Sequence, residues 1–129
     1  SKIPNGIPGV EHRPSLMYTY GVAAGRITAV DMARLLAENP ARLFGMYPQK
    51  GVLAVGSDAD LVIFDPNDTG RITAETQYQN VDYTPYEGME LRGRVDTVLL
   101  GGEVAVEGGR VLLERRGRYV SRGPSGFWR

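Results

Sequence analysis

The sequence contains no cysteine and only one histidine among its 129 residues. Without cysteine there can be no disulfide, thiolate nucleophile or cysteine-based metal site, and nothing indicates an oxidising compartment. The single histidine, His12, has no second histidine or cysteine with which to form the ligand cluster that zinc requires. We therefore expect His12 to be a surface or loop residue, and we expect this chain alone to hold neither a metal nor a complete catalytic apparatus.

The chain also lacks an excess of charge of either sign and any long apolar run. Fifteen basic residues balance fifteen acidic ones, so no overall field attracts nucleic acid or an anionic membrane. The apolar runs fall far short of the ~20 residues that span a bilayer. Residues 1–6 contain no apolar signal region and resemble the interior of a longer chain. We therefore predict a cytoplasmic protein that binds neither nucleic acid nor membrane, and a basic run at 115–118 that is a solvated tail or a subunit contact.

The first third of the chain shows helical patterns. A helix is predicted from residue 11 to about residue 24, where Gly25 can end it in a left-handed conformation. Thr28 can cap the next helix, with Asp31 as the acid of a short capping box. Pro40 is expected to break this helix, so that residues 39–45 form a further short helix with Asn39 as its N-cap.

After Pro48 the pattern becomes that of strands. One strand is predicted at 60–65 and is expected to end at Pro66. Three short strands are predicted between residues 94 and 114, joined by primed hairpin turns at Gly101-Gly102 and Gly108-Gly109. The helices are too few to bury their own apolar face, and the sheet has no obvious covering layer. Both halves therefore look like parts of a larger fold.

Three groups of residues could suggest chemistry, and for each a structural interpretation is stronger. Asp58 and Asp60 lack the further oxygen ligands of a calcium loop, so we expect Asp58 to make hydrogen bonds to backbone N–H groups of its turn. The glycine pairs lie between strands and match no phosphate-binding loop. The tyrosines at 78, 83 and 86 could stack on bases, but without interleaved basic residues they indicate packing or a subunit contact.

Two motifs resemble the metal-dependent amidohydrolase superfamily. They are residues 39–45 (NPARLFG) and residues 50–65 (KGVLAVGSDADLVIFD). The resemblance implies a mixed α and β fold in which residues 1–48 are the last loop and helices of a (β/α)8 barrel. Residues 49–116 would then belong to a small β-sandwich, and residues 117–129 would form an extended C-terminal arm.

Three further motifs resemble one branch of that superfamily, the dihydropyrimidinases and hydantoinases. They are residues 4–13 (PNGIPGVEHR), 79–88 (QNVDYTPYEG) and 117–124 (GRYVSRGP). With the two motifs above, the resemblance covers essentially the whole chain. It implies the C-terminal segment of a cyclic-amide hydrolase, a homotetramer in which the arm packs on a neighbouring subunit.

The resemblance also implies a reaction. Enzymes of this family build a binuclear zinc site from a His-x-His pair, a carboxylated lysine, two further histidines and an aspartate on the barrel strands. The metals lower the pKa of a bridging water, so that hydroxide attacks the ring amide carbon of a hydantoin or dihydropyrimidine, and the aspartate passes a proton to the leaving nitrogen. None of these ligands is present here, and a complete barrel takes ~250 residues. The chain alone is therefore expected to be inactive and to bind no zinc.

One family site does fall on this chain, at Asn5. It matches an asparagine whose backbone hydrogen-bonds the amide or imide of the substrate ring, and Gly6 would let that backbone approach closely. Asn-Gly also favours an ordinary turn, which is compatible with such a contact. His12 departs from the family, which often has Thr or Asp at this position.

Two alternatives remain open from the sequence. Some relatives of dihydropyrimidinase keep the fold and the tetramer but have lost their metal ligands, and they act as interaction or assembly proteins. The chain could also be a separate assembly or regulatory module that depends on association for its stability. The expected partners otherwise are a small cyclic amide, the rest of the parent chain and further copies of the subunit.

Overall fold

The computed structural model describes residues 6–113 and 117–126. Helices come first and an antiparallel sheet follows, so the predicted mixture of α and β structure is confirmed. None of the helices in these two ranges is long and apolar enough to cross a membrane. The helices are α1 (Arg13–Met17), α2 (Ala29–Ala33) and α3 (Asn39–Leu43), with π-helical segments at Tyr18–Val22 and Arg34–Glu38. The strands are β1 (Leu61–Arg71), β2 (Glu90–Leu100), β3 (Glu103–Glu107) and β4 (Arg110–Val111).

The ends of the helices are determined by local sequence, as predicted. The first helical stretch begins with Pro14 in its first turn, where the missing N–H costs nothing. It ends before Gly25, whose φ is 70°. At the start of α2, the Thr28 hydroxyl accepts a hydrogen bond from the Asp31 N–H at 3.0 Å, and the Asp31 carboxylate accepts one from the Thr28 N–H at 3.0 Å. The capping box is therefore confirmed.

Pro40 does not break the helix, and the prediction of a new N-cap at Asn39 is wrong. Helical backbone continues from α2 through Arg34–Glu38 into α3. Proline lacks an N–H and its ring collides with the carbonyl four residues before it. The turn ahead of Pro40 is widened, and the Asn39 N–H bonds to the carbonyl of Arg34, five residues back. That wider turn lets the helix accommodate the proline. Gly45, with φ at 67°, ends it as expected.

The sheet has the order β1-β2-β3-β4, with every neighbouring pair antiparallel. The three strands predicted near residues 94–114 are confirmed, although β2 begins earlier, at Glu90. Gly101 and Gly102 have φ of 60° and 87°, and Gly108 and Gly109 have φ of 54° and 78°. Positive φ at both central residues is what a primed two-residue hairpin requires.

The first strand runs past Pro66, where it was expected to end. β1 continues to Arg71, and its pairing with β2 is irregular between Asp65 and Thr69. The Asp65 carboxylate accepts a hydrogen bond from the Asn67 N–H at 2.9 Å inside this bulge. A bulge is where a strand can accept proline, because no ladder N–H is needed there.

The predicted extended arm is in fact held partly on this chain. Its Gly123 N–H donates to the Gly45 carbonyl at 2.8 Å, beside the end of α3. Arg118 forms an ion pair with Asp58. Tyr119, however, is 88% exposed. Packing of the arm on a neighbouring subunit stays a prediction.

The helices join the sheet through a small contact rather than a large core. The Tyr18 and Phe64 rings lie 4.8 Å apart, and the Thr19 hydroxyl bonds both the N–H and the carbonyl of Arg92, each at 2.9 Å. The accessible surface is 9563 Å², whereas a compact monomer of this mass exposes about 6,700 Å². The chain thus exposes more surface than a compact monomer of its mass.

Candidate functional site

One of the two predicted substrate-contact residues, Gly6, is the first residue that the structure describes. Asn5 falls outside the described residues. Gly6 is exposed and begins a segment, residues 6–12, that we call the Gly6 loop. A side chain at Gly6 would meet open space, and its carbonyl accepts a long hydrogen bond of 3.5 Å from the Tyr83 hydroxyl. The substrate role of Asn5 and Gly6 stays a prediction.

The Gly6 loop rests on a second segment, residues 77–88, that we call the tyrosine segment. One carboxylate oxygen of Glu11 accepts hydrogen bonds from the N–H groups of Tyr78 and Gln79, at 2.8 Å and 3.3 Å. This bridge joins residues 67 positions apart. The structure therefore brings together the two motifs that resemble the hydantoinase branch most closely, a contact that the sequence did not predict.

Tyr86 packs against the Gly6 loop. Its ring meets the imidazole of His12 edge-on, with ring centroids 6.2 Å apart and an interplanar angle of 87°. A Cβ added at Gly9 would lie 3.2 Å from the same tyrosine ring. The absence of a side chain at Gly9 therefore lets the loop backbone lie against Tyr86.

His12 was predicted to be a surface or loop residue, and it lies in a loop but not at the surface. It precedes α1 in a turn, but only 9% of it is exposed. Its carbonyl accepts a hydrogen bond from the Leu16 N–H at 2.9 Å, and its Nε2 is buried without a hydrogen-bond partner in the described part of the chain. The cause is Tyr86, which is too distant in sequence for any local pattern to indicate.

The tyrosine segment keeps its shape without belonging to a helix or strand. The Gln77 side-chain amide donates to the carbonyls of Val81 and Tyr83, at 2.9 Å and 3.1 Å. Thr84 is buried, and its hydroxyl accepts from the Tyr86 N–H at 3.3 Å. These bonds satisfy backbone groups that a loop would otherwise leave to water. For Tyr86, the structure supports packing rather than base stacking.

Asp58 and Asp60 lie on either side of the Lys50 ammonium group. Lys50 donates to Asp60 and lies 2.9 Å from the carboxylate of Asp58. Donation from Lys50 lowers the pKa of both aspartates, and donation to Asp60 and then Asp58 raises the pKa of Lys50. The cation between these carboxylates is thus a lysine of the chain itself, which explains their pairing structurally.

The detailed prediction for Asp58 is wrong. We expected its carboxylate to bond backbone N–H groups of its own turn. It accepts instead from the side chains of Lys50, Gln49 and Arg118. Asp60 is the one that bonds backbone, accepting from the Gly101 N–H at 2.8 Å, which ties the loop before β1 to the first hairpin.

We predict that Lys50→Met lowers the free energy of unfolding by about 1 kcal/mol, the upper range for partly exposed ion pairs. Because the pKa values of the aspartates are lowered in the fold, their stabilising contribution is present above about pH 4 and is lost below it. Because the pKa of the lysine is raised, its contribution is present below about pH 10 and is lost above it. The difference between wild type and variant should therefore be constant near neutral pH and shrink in acid. Urea unfolding of the intact protein at several pH values measures it.

Arg34→Met is the matched control for this change. Arg34 reaches Asp31 at 3.5 Å, but its side chain is 54% exposed, so its loss should have almost no effect. Equal effects of the two substitutions, or a difference that does not depend on pH, would contradict the role assigned to Lys50.

The donor set of this chain does not fit a zinc site. Among the described residues, no group of three or more histidine, cysteine, aspartate or glutamate side chains is placed to hold a metal ion. His12 faces Tyr86, and Asp58 and Asp60 already face Lys50. No zinc site is therefore assigned to the residues that the structure describes.

Comparison with known proteins agrees with the resemblance seen in the motifs. The model of the Amidohydrolase family matches residues 10–105. D-phenylhydantoinase of Escherichia coli (strain K12 / DH10B) is 43% identical over 125 residues, covering 96% of this chain but 27% of the relative.

The solved structures extend this likeness to three dimensions. D-Hydantoinase (Dihydropyrimidinase) from Thermus sp. is 45% identical with a TM-score of 0.91, and the match covers 97% of this chain and 28% of that one. L-Hydantoinase (Dihydropyrimidinase) from Arthrobacter aurescens is 40% identical with a TM-score of 0.82, covering 85% and 24% respectively. The resemblance drawn from the motifs is confirmed, and the chain spans about a quarter of the length of these relatives.

Proposed function

Because this chain belongs to the amidohydrolase family, we propose that it is part of a hydrolase that opens hydantoin or dihydropyrimidine rings at a C–N bond. The relatives and the structural neighbours carry the names D-phenylhydantoinase, D-Hydantoinase and L-Hydantoinase, and two of them also Dihydropyrimidinase. Their identity to this chain is spread over nearly all of it. The longer protein that contains this chain is called the parent enzyme below.

The observation that carries the proposal is the support of the Gly6 loop by the tyrosine segment. The tyrosine segment holds the loop in three ways. Tyr83 bonds the Gly6 carbonyl, two backbone N–H groups bond Glu11, and the Tyr86 ring packs against His12. Its free side presents backbone at Gly6 and the exposed apolar side chains of Ile7 and Val10, 65% and 70% accessible.

Such a surface suits a small cyclic amide. A ring amide offers one N–H donor and one C=O acceptor, which the backbone of Asn5 would match, with Gly6 letting that backbone approach closely. Apolar side chains beside a few directed polar groups are the usual lining of a small-molecule site. In this proposal the chain binds and orients the ring, while the metal ions and the attacking water belong to the remainder of the parent enzyme. We infer a binuclear zinc centre there from the family resemblance.

We place residues 1–48 at the end of a (β/α)8 barrel, with the Gly6 loop at the barrel face where active sites of this fold lie. Residues 49–116 would complete a β-sandwich with further strands of the parent, and residues 117–129 would reach a neighbouring subunit of a cytoplasmic homotetramer. The large accessible surface and the exposed Tyr119 support such partners.

The test is an assay of the parent enzyme with hydantoin and dihydrouracil, following the ring-opened carbamoyl product. We expect turnover that a chelator abolishes and zinc restores. A folded tetramer that binds no zinc and opens neither ring would overturn the proposal. That result would favour the second candidate, a non-catalytic assembly protein.

A further inference from the structure

We propose that His12 is a positioning residue, which fixes the Gly6 loop in its binding conformation by packing its imidazole edge-on against Tyr86. This inference rests on the proposed function, because it names how the substrate loop is held. His12 touches no substrate in this proposal. It acts through the loop backbone, and therefore on substrate affinity more than on the chemical step.

The first step of the argument is the position of His12 in the chain. It lies directly after Glu11, whose carboxylate is bonded to the tyrosine segment, and its own carbonyl accepts the first helical bond from Leu16. The C-terminal end of the Gly6 loop is thus tied on one side to the tyrosine segment and on the other to α1. His12 lies where these two attachments meet, at the point where the loop joins α1.

The second step is that the Gly6 end of the loop has few other restraints. Two of its seven residues are glycines, and glycine restricts the backbone least. Its Gly6 end is held by a single hydrogen bond of 3.5 Å, at the outer limit of useful length. Tyr86 packs against the loop at both Gly9 and His12, and so supplies a restraint that the Gly6 end lacks.

The third step distinguishes packing from hydrogen bonding. The Nε2 of His12 is buried and makes no hydrogen bond to any residue that the structure describes. A phenyl ring at this position would keep the edge-on contact and lose no described bond of Nε2, whereas alanine would remove the contact. The pair His12→Phe and His12→Ala thus separates the ring from its nitrogen.

The experiment uses the parent enzyme with steady-state kinetics on hydantoin. An edge-on aromatic pair contributes about 0.5–1.5 kcal/mol, or up to about tenfold in an equilibrium. We expect His12→Ala to raise KM by about tenfold while kcat changes less than about threefold. His12→Phe should restore KM to within about twofold of wild type. A KM that is unchanged in His12→Ala, or raised equally in both variants, would overturn the proposal.

Hydrogen exchange of the backbone amides at residues 9–16 gives a readout that does not depend on activity. Exchange should be about tenfold faster in His12→Ala and unchanged in His12→Phe. If wild-type protein opens no ring, the proposed function fails, but exchange still decides whether His12 holds the loop. Unchanged exchange in His12→Ala would overturn the positioning role by itself.

Tyr86→Leu tests the contact from the opposite side and serves if His12→Ala does not fold. Tyr86→Leu should raise KM and the rate of amide exchange as His12→Ala does. In the double variant the increase should be smaller than the product of the two single increases, because each substitution removes the same contact. Independent, multiplicative effects of the two substitutions would contradict the inference.

Discussion

Gly93→Ala is expected to lower the free energy of unfolding by about 3 kcal/mol, the largest effect of any single substitution considered for this fold. Gly93 lies in β2 with φ at 75°, a left-handed conformation that costs a residue with a Cβ about 1 kcal/mol. An added Cβ would also lie 2.4 Å from the Phe64 ring and 2.8 Å from the Tyr18 ring. Overpacking of this kind costs roughly a further 1–3 kcal/mol.

The effect should be large because Gly93 lies under the contact between helix and sheet. The Tyr18 and Phe64 rings meet directly at this point, and the bonds between Thr19 and Arg92 lie beside it. A Cβ at position 93 would therefore push against both rings of this contact. We expect the thermal unfolding midpoint of the intact protein to fall by several degrees and soluble yield to drop.

Gly88→Ala is the matched control. Gly88 has φ at 77°, almost the same as Gly93, but a Cβ there would meet open space. Gly88→Ala should cost only the conformational part, about 1 kcal/mol. Equal destabilisation by the two substitutions would show that the helix–sheet contact is not tightly packed at Gly93.

The features that the sequence predicted correctly are those encoded within a few residues. The Thr28 capping box and the glycine hairpins depend on neighbours three residues apart or fewer, and they form as predicted. Two errors of element boundary concern prolines, Pro40 and Pro66. In each case proline was expected to end an element, but a widened helical turn and a bulge accommodate it. Whether such an adjustment is stable depends on the rest of the fold, which local patterns do not contain.

The site was predictable in part only. The resemblance identified the Gly6 loop and, separately, the motif at 79–88, but nothing in either motif indicates that they touch. The bonds from Tyr78 and Gln79 to Glu11, and the burial of His12 by Tyr86, join residues far apart in the sequence. Long-range contacts of this kind arise from topology. The partners of Asp58 were missed for the same reason, because Arg118 lies 60 residues away.

The isolated 129-residue chain is expected to open no hydantoin ring at a rate above the uncatalysed reaction, a loss of at least about 10⁶-fold relative to a working parent enzyme. The reason is the donor set, since the whole sequence has one histidine and no cysteine. The assay compares the purified chain and the parent enzyme at equal concentration, with metal content measured in both. Stoichiometric zinc together with turnover in a 14.1 kDa species would contradict this prediction.

The same chain should also depend on association for its stability. Its described apolar residues Ala41 and Ile72 are buried, whereas Leu53, Val55 and Tyr119 are 83%, 109% and 88% exposed. Burying apolar surface stabilises a fold by about 25 cal/mol per Å². A chain that leaves large apolar side chains exposed to water gains little of this stabilisation by folding alone. Its unfolding midpoint should therefore rise with protein concentration or on addition of the rest of the parent enzyme. Sedimentation of a stable, folded monomer whose midpoint is independent of concentration would show that the exposed faces need no partner.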